Sequence, residues 1–194
     1  MPWKKEHKEE TRARILDAAS AAIRQKGVAG VGVAEMMEAA GLTHGGFYAH
    51  FRSKDALIAE AFDLACEQSG KKLEAAAEKA PAGEKLLAVA EAYLTTTHAH
   101  HPEKGCPIST VGPDLVRNGG DAQQAVAEAV RQRLEWLESL APGKTKEARR
   151  RSAAGTYAAM LGAIFVARAL GGTDGDRYLQ LVRESLRQKQ SASA

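Results

Sequence analysis

Aromatic residues are scarce in this chain of 194 residues: four Phe, four Tyr and two Trp, 5% of the sequence. Runs of β-branched residues are equally thin, whereas alanine is abundant. That balance disfavours sheet and favours packed helices. Only two cysteines occur, Cys66 and Cys106, without framework spacing, which excludes a disulfide scaffold and fits reduced thiols. No apolar run approaches membrane-spanning length, and the start Met-Pro-Trp-Lys-Lys-Glu lacks a signal-peptide core. The expectation is a cytoplasmic protein with no membrane partner.

What is present is a large hydrophobic fraction, 44%, enough for one domain or two small ones. The formal net charge of +3 is unevenly placed. Residues 1–54 hold nine Lys/Arg against six Asp/Glu, while the rest has eighteen of each. A modestly basic head on a neutral body is compatible with phosphate contact, and equally with a chance excess on a solvated surface.

Apolar spacing predicts an all-α chain of about nine helices. Ile15, Ala18, Ala19, Ala22 and Ile23 form a helical stripe from about Glu9 to Gln25, stopped by Gly27. Val33, Met36, Met37 and Ala40 form a second, with Gly32 as N-cap and Gly41 as stop. Thr43 is placed to cap a third helix, from about His44 to His50 or Phe51, and Ser53 to cap a fourth running to about Ala80. Pro81-Ala82-Gly83 precedes a helix from about Glu84 to His100. Residues 101–120, with Pro102, Pro107, Pro113 and four glycines, read as irregular with room for one short helix. Helices are expected over 121–140 and about 145–170, and around Tyr178–Leu186, before a frayed tail Gln188–Ala194.

Residues 41–55 stand out. Two glycines inside a short helix cost about 1 kcal/mol each relative to alanine, a cost accepted where a backbone must approach something closely. Three short helices with a tight turn before the third form a helix-turn-helix, whose second element enters the major groove of DNA. Thr43 and the first N–H groups of that helix can meet phosphate or base edges, and His44 offers a donor. Gly45 and Gly46 let the backbone sit deep, Tyr48 can donate to a phosphate oxygen, and Lys54 can meet another. The same spacing also fits a core cluster of Phe47, Tyr48 and Phe51 with the glycines in a loop.

The ordered pieces Arg14-Ile15-Leu16-Asp17-Ala18-Ala19, Lys26-Gly27, Ala39-Ala40-Gly41-Leu42-Thr43, Gly46-Phe47-Tyr48-Ala49-His50-Phe51 and Ser53-Lys54-Asp55-Ala56-Leu57 resemble the DNA-binding region of TetR-family transcriptional regulators. The resemblance runs from Thr11 to Phe62. It implies a helix-turn-helix domain over 1–52 and a helical effector-binding and dimerisation domain over 53–194. It further implies a homodimer on a palindromic double-stranded operator, a repressor or occasionally an activator, released by a small effector. Thr43 through Tyr48 fall on the recognition helix, and Lys54 matches a phosphate-contacting lysine. Phe47 and Phe51 match core positions. His44 stands where many members have lysine and Gly46 where many have a hydroxyl residue, which reduces direct base readout. His50 belongs to the same segment, at an angle nearer the core side.

In the rest of the chain, Cys106 lies in Lys104-Gly105-Cys106-Pro107 near a helix start and a lysine, a setting for a redox or electrophile sensor or for a buried structural thiol. His98, His100 and His101 lack paired metal-ligand spacing and suit a helix C-terminus without a metal. Phe62, Tyr93, Trp136 and Tyr157 are the aromatic candidates for an effector pocket, or simply core. With no obvious cationic cluster, the expected effector is apolar or neutral. A small-residue stripe from Ala153 to Ala169, including Gly162 and Phe165, and a second through Tyr178, Leu181, Val182 and Leu186 suit a dimer interface, internal packing or a heterologous partner. No nucleophile–base pairing, phosphate-binding glycine loop or carboxylate pair is visible, so neither an enzyme nor a cofactor is expected.

Overall fold

The computed structural model describes residues 2–191, which hold ten α-helices, two 3₁₀ helices and no strand. In chain order the α-helices are α1 (Pro2–Lys26), α2 (Val33–Ala39), α3 (Lys54–Lys79), α4 (Lys85–Tyr93), α5 (Thr96–His100), α6 (Pro107–Thr110), α7 (Gly112–Asn118), α8 (Gly120–Leu140), α9 (Lys146–Leu170) and α10 (Gly172–Ser191). The 3₁₀ helices are His44–Ala49 and Pro102–Lys104.

The all-α class is as the composition requires, but the count exceeds nine for local reasons. The helix expected over 84–100 breaks at Leu94, and Thr95 restarts it: the Thr95 hydroxyl accepts from the His98 N–H at 3.1 Å. A threonine that satisfies a backbone donor itself competes with an unbroken helix. Residues 101–120 hold α6, α7 and a 3₁₀ turn where one short helix was expected, each α-helix starting with a proline in its first two positions. The third helix is 3₁₀ rather than α. Thr43 occupies its N-cap position without making a side-chain cap bond, whereas Ser53 does cap α3, accepting from the Ala56 N–H at 3.1 Å. The tail expected to fray from Gln188 stays helical to Ser191, where Gln190 Nε2 donates to the Gly83 carbonyl at 2.8 Å. The last three residues of that expectation lie outside the described residues.

The chain divides into two compact units. The first comprises the chain up to Gln68 together with Pro102–Ala127. Its core is Ile15, Ala19 and Ile23 of α1, Met36 and Met37 of α2, Phe47, Phe51, and Leu57, Ile58 and Phe62 of α3, all buried. Burying each large apolar side chain contributes roughly 1.5–3 kcal/mol. Arg24 ties the end of α1 to the Pro102–Lys104 turn, donating from Nη1 to the Gly105 carbonyl at 3.0 Å and from Nε and Nη2 to Ser20. Burial holds its guanidinium below the usual arginine range.

The second unit comprises Ser69–His101 together with the chain from Glu128 on. Here α9 is the central helix, burying Ala153, Tyr157, Met160, Ala163, Ile164 and Ala167 and packing against α10, α4 and α5. Gly175 makes the α9–α10 crossing possible, since a Cβ there would lie 2.3 Å from the Ala167 carbonyl oxygen. Arg168 donates to the His98 and Ala99 carbonyls at 2.9 and 3.2 Å, capping α5 from a neighbouring helix. By length and composition α9 is apolar enough to cross a membrane, which corrects the expectation that no run reaches that length. One third of its apolar stretch is buried, and Phe165 and Leu170 within it are exposed.

Candidate nucleic-acid interface

The site is built on a turn that only glycine makes easily. Gly41 has φ +70°, its N–H bonds the Glu38 carbonyl at 2.8 Å, and the Leu42 N–H bonds that of Met37 at 2.9 Å. This closes α2 and redirects the chain into the His44–Ala49 helix. Arg14 on α1 donates to the Ala40 carbonyl, bracing the same turn from behind.

A buried aromatic pair then fixes which side faces out. Phe47 and Phe51 stack at 5.9 Å and both are buried, held by His50 and Phe51 N–H groups bonding the Phe47 carbonyl at 2.9 and 3.0 Å. The Arg12 guanidinium lies 4.6 Å over the Phe51 ring and pairs with Glu60, so it is committed to the interior side. Consequently Thr43, His44, Gly45 and Tyr48 are exposed. Tyr48 is 74% exposed, an aromatic ring left in water.

The two glycines differ. A Cβ on Gly45 would meet nothing within 4 Å, and its φ is not positive, so the fold does not call for glycine there. A Cβ on Gly46 would contact Met37 Cε at 3.8 Å, and that residue is half-buried. Lys54 is half-buried, its Nζ donating to the Val28 carbonyl at 3.4 Å. His50 is turned inward as well: its Nδ1 is buried without a hydrogen-bond partner among the described residues. Burial, then Lys8 and Arg12, hold the imidazole below its ordinary pKa.

Sequence reading missed Arg52, an exposed cation directly after the aromatic pair, 3.5 Å from Asp121. A hollow of about 360 Å³ beside it is lined by His50, Asp55, Glu60 and Asp121. Arg52 lines it too, and two of its three carboxylates are paired, Glu60 with Arg12 and Asp121 with Arg52.

The aromatic pocket candidates are dispersed. Phe62 is fully buried in the first unit. In the second, Tyr93 and Tyr157 are core, and Trp136 is half-buried under the Arg133 guanidinium at 5.1 Å. None of the four lines the partly open hollow of about 550 Å³ among α4, α9, α10 and the turn at Pro142 and Gly143. Cys106, 8% exposed, is the N-cap residue of α6, and the Ser109 and Thr110 hydroxyls donate to its carbonyl. His98 meets the Tyr93 carbonyl at 2.8 Å and His100 meets Asp176 at 2.8 Å, so those imidazoles serve different partners.

Residues 15–61 match the family model described as bacterial regulatory proteins, tetR family. Over 67 residues the chain is 37% identical to the HTH-type transcriptional regulator AcrR of Shigella flexneri, covering 34% of this chain and 31% of that one. Over 59 residues it is 42% identical to the HTH-type transcriptional regulator TtgR of Pseudomonas putida, covering 30% and 28%. The chain thus spans less than a third of the length of the curated relatives it matches. Among solved structures, a TetR transcriptional regulator from Chloroflexus aurantiacus superposes with a TM-score of 0.80 at 25% identity, covering 93% of this chain and 94% of that one. One from Cytophaga hutchinsonii gives 0.82 at 24% identity, covering 96% of each, a likeness of fold.

Proposed function

Since the chain belongs to the TetR family of bacterial regulatory proteins, we propose that it is a cytoplasmic, homodimeric DNA-binding transcriptional regulator, a repressor that leaves its operator when a small molecule binds. The observation that carries the reading is Gly45: an exposed glycine in a helical turn that neither backbone conformation nor packing requires. An outside surface that comes close to the backbone explains it, and the floor of the DNA major groove is such a surface.

In this reading Thr43, His44 and Tyr48 face the duplex around Gly45, and Gly46 keeps the approach shallow-sided. Lys54 reaches phosphate by exchanging its long bond to Val28, and His50 supports the segment from behind. Arg52 adds a phosphate contact. The dimer forms through α9 and α10, where Phe165 is 69% and Leu181 is 55% exposed beside the small residues Ala158 and Gly162. A two-fold dimer asks for a palindromic operator, with half-sites about one DNA turn apart or a multiple of it. An effector that binds one spacing of the recognition elements more tightly shifts the population toward it, with α3, which begins at Lys54, as the moving part. No catalysis or cofactor enters.

A second reading rests on Arg24, whose guanidinium lies within electrostatic reach of Cys106, Glu103 and Cys66. Its charge would stabilise an anionic oxidation product at Cys106, making that residue a redox trigger for operator release. The test of the main reading is a gel shift with the DNA upstream of the protein's own gene, at several salt concentrations. Sequence-selective, salt-sensitive binding supports it, and absent or sequence-indifferent binding rejects it.

A further inference from the structure

We propose that the exposed seam of α9 pairs antiparallel with the same seam of a second copy, centred at the level of Met160, and that the hollow among α4, α9 and α10 is the socket for Phe165 of the partner subunit. The proposal rests on the dimeric reading above and adds to it a register and an occupant for the hollow.

Arg151, Gly155, Ala158, Gly162, Phe165 and Ala169 are all exposed on α9. Successive members lie four, three, four, three and four residues apart, which keeps them on one face. That is the 3.5-residue repeat at which two helices pack side by side. The seam is about 27 Å long and carries a single large apolar side chain, Phe165. A Cβ on Gly155 or Gly162 would meet nothing within 4 Å, and neither glycine has a positive φ. Glycine inside a helix is unfavourable relative to alanine, so a surface outside the protomer accounts for both.

Two-fold symmetry fixes every contact once one is chosen. With the centre at Met160, Gly155 meets the partner's Phe165, and Ala158 meets the partner's Gly162. The ring then lies over a glycine, and the crossing itself is made by small residues, where helix axes come closest. Arg151, paired with Glu147, meets the partner's Ala169 and forms a polar rim at each end of the seam. Stacking Phe165 on the partner's Phe165 instead would set Gly155 and Ala158 beyond the partner's α9, since that helix ends at Leu170. The hollow supplies the second, separate reason for the register. It is about 550 Å³, opens beside Gly155 and Ala159, and has Leu86, Leu87, Ala90 and Leu186 as its apolar wall. A ring seated there exchanges water for apolar contact on both sides, and the two-fold makes the exchange twice.

The test is a mutant cycle on the dimer dissociation constant of the full chain, measured by sedimentation. Gly155→Leu fills the socket and Phe165→Ala removes the ring, so each should weaken the dimer about tenfold or more with helicity unchanged. In the double variant the leucine occupies the space the ring has left, so it should dimerise about as well as Phe165→Ala alone. Cross-linking checks the register directly in a Cys66→Ser, Cys106→Ser background. Gly155→Cys and Phe165→Cys chains, mixed and oxidised, should join position 155 of one to position 165 of the other. Neither chain alone should join to itself, because its two thiols lie about 15 Å apart along the pair. A wild-type dimer in which the two substitutions act independently overturns the register and leaves the dimeric reading standing. So does a dimer whose Phe165→Cys chains link to each other, or whose mixed chains do not link. A wild type that stays monomeric at every concentration overturns both and leaves the hollow to a small molecule or a different protein.

Discussion

Phe47 and Tyr48 are chain neighbours whose rings meet edge to face at 5.1 Å, yet Phe47 is 1% exposed and Tyr48 is 74% exposed. One ring holds the helix-turn-helix together and the other is held out from it. Substitution should separate those roles. Phe47→Ala should cost about 3–5 kcal/mol of stability, read by chemical denaturation. Tyr48→Ala should change stability by less than about 1 kcal/mol and still weaken DNA binding. Equal stability losses in the two variants would contradict the division.

Gly45 admits a similar separation. Gly45→Leu has open space for its side chain and no positive φ to strain, so thermal unfolding should be unchanged or slightly raised. Operator affinity should fall at least about tenfold, since the added side chain enters the groove. Full affinity in Gly45→Leu would show that no close surface meets this position.

Acid should weaken the second unit through His98. Burial, opposed by its bond to Tyr93 and reinforced by Arg168 and Lys72, pushes the imidazole from 6.5 down to about 4. Between those values the unfolded chain takes up a proton that the folded one refuses, so stability rises with pH across this window. The contribution is fully present above pH 6.5 and is lost as pH falls toward 4, approaching roughly 3 kcal/mol. Denaturation midpoints of wild type and His98→Asn should converge in slope above 6.5 and diverge below it. Parallel curves through the window would remove His98 from the account.

Phe165→Glu places a charge on the most exposed apolar ring of α9. Sedimentation should find wild type as a dimer and the variant as a monomer with unchanged helicity. A monomeric wild type, or a variant that remains dimeric, would assign that face to something else.

For the redox reading, peroxide should release DNA from wild type and not from Cys106→Ser. Equal release from both would remove Cys106. Its burial predicts slow reaction with bulky electrophiles compared with peroxide.

The helix-turn-helix was legible because its signals are local. The Ile15–Ile23 stripe, the Gly41 turn and the Phe47–Phe51 pairing are all set within a few residues. Ser53 was recognisable as a cap, whereas Thr43 was not separable from it by sequence, since both are hydroxyl residues before a helix. The break at Leu94 was missed because the apolar period continues across it. The candidate pocket was the least legible part. Phe62, Tyr93, Trp136 and Tyr157 were chosen by residue type, but type does not say which packed surfaces leave a space. The hollow among α4, α9 and α10 arises only through the packing of these helices, to which Gly175 at the α9–α10 crossing contributes.

The central claim is that Thr43–Tyr48 reads DNA. Its most direct test is anisotropy titration of a labelled fragment from upstream of the protein's own gene, with scrambled competitor, across a range of salt. The account predicts saturation at two protomers per palindrome, affinity falling linearly on a log–log plot with salt, and loss of selectivity in Gly45→Leu. Binding that ignores sequence, or that Gly45→Leu leaves untouched, would contradict it.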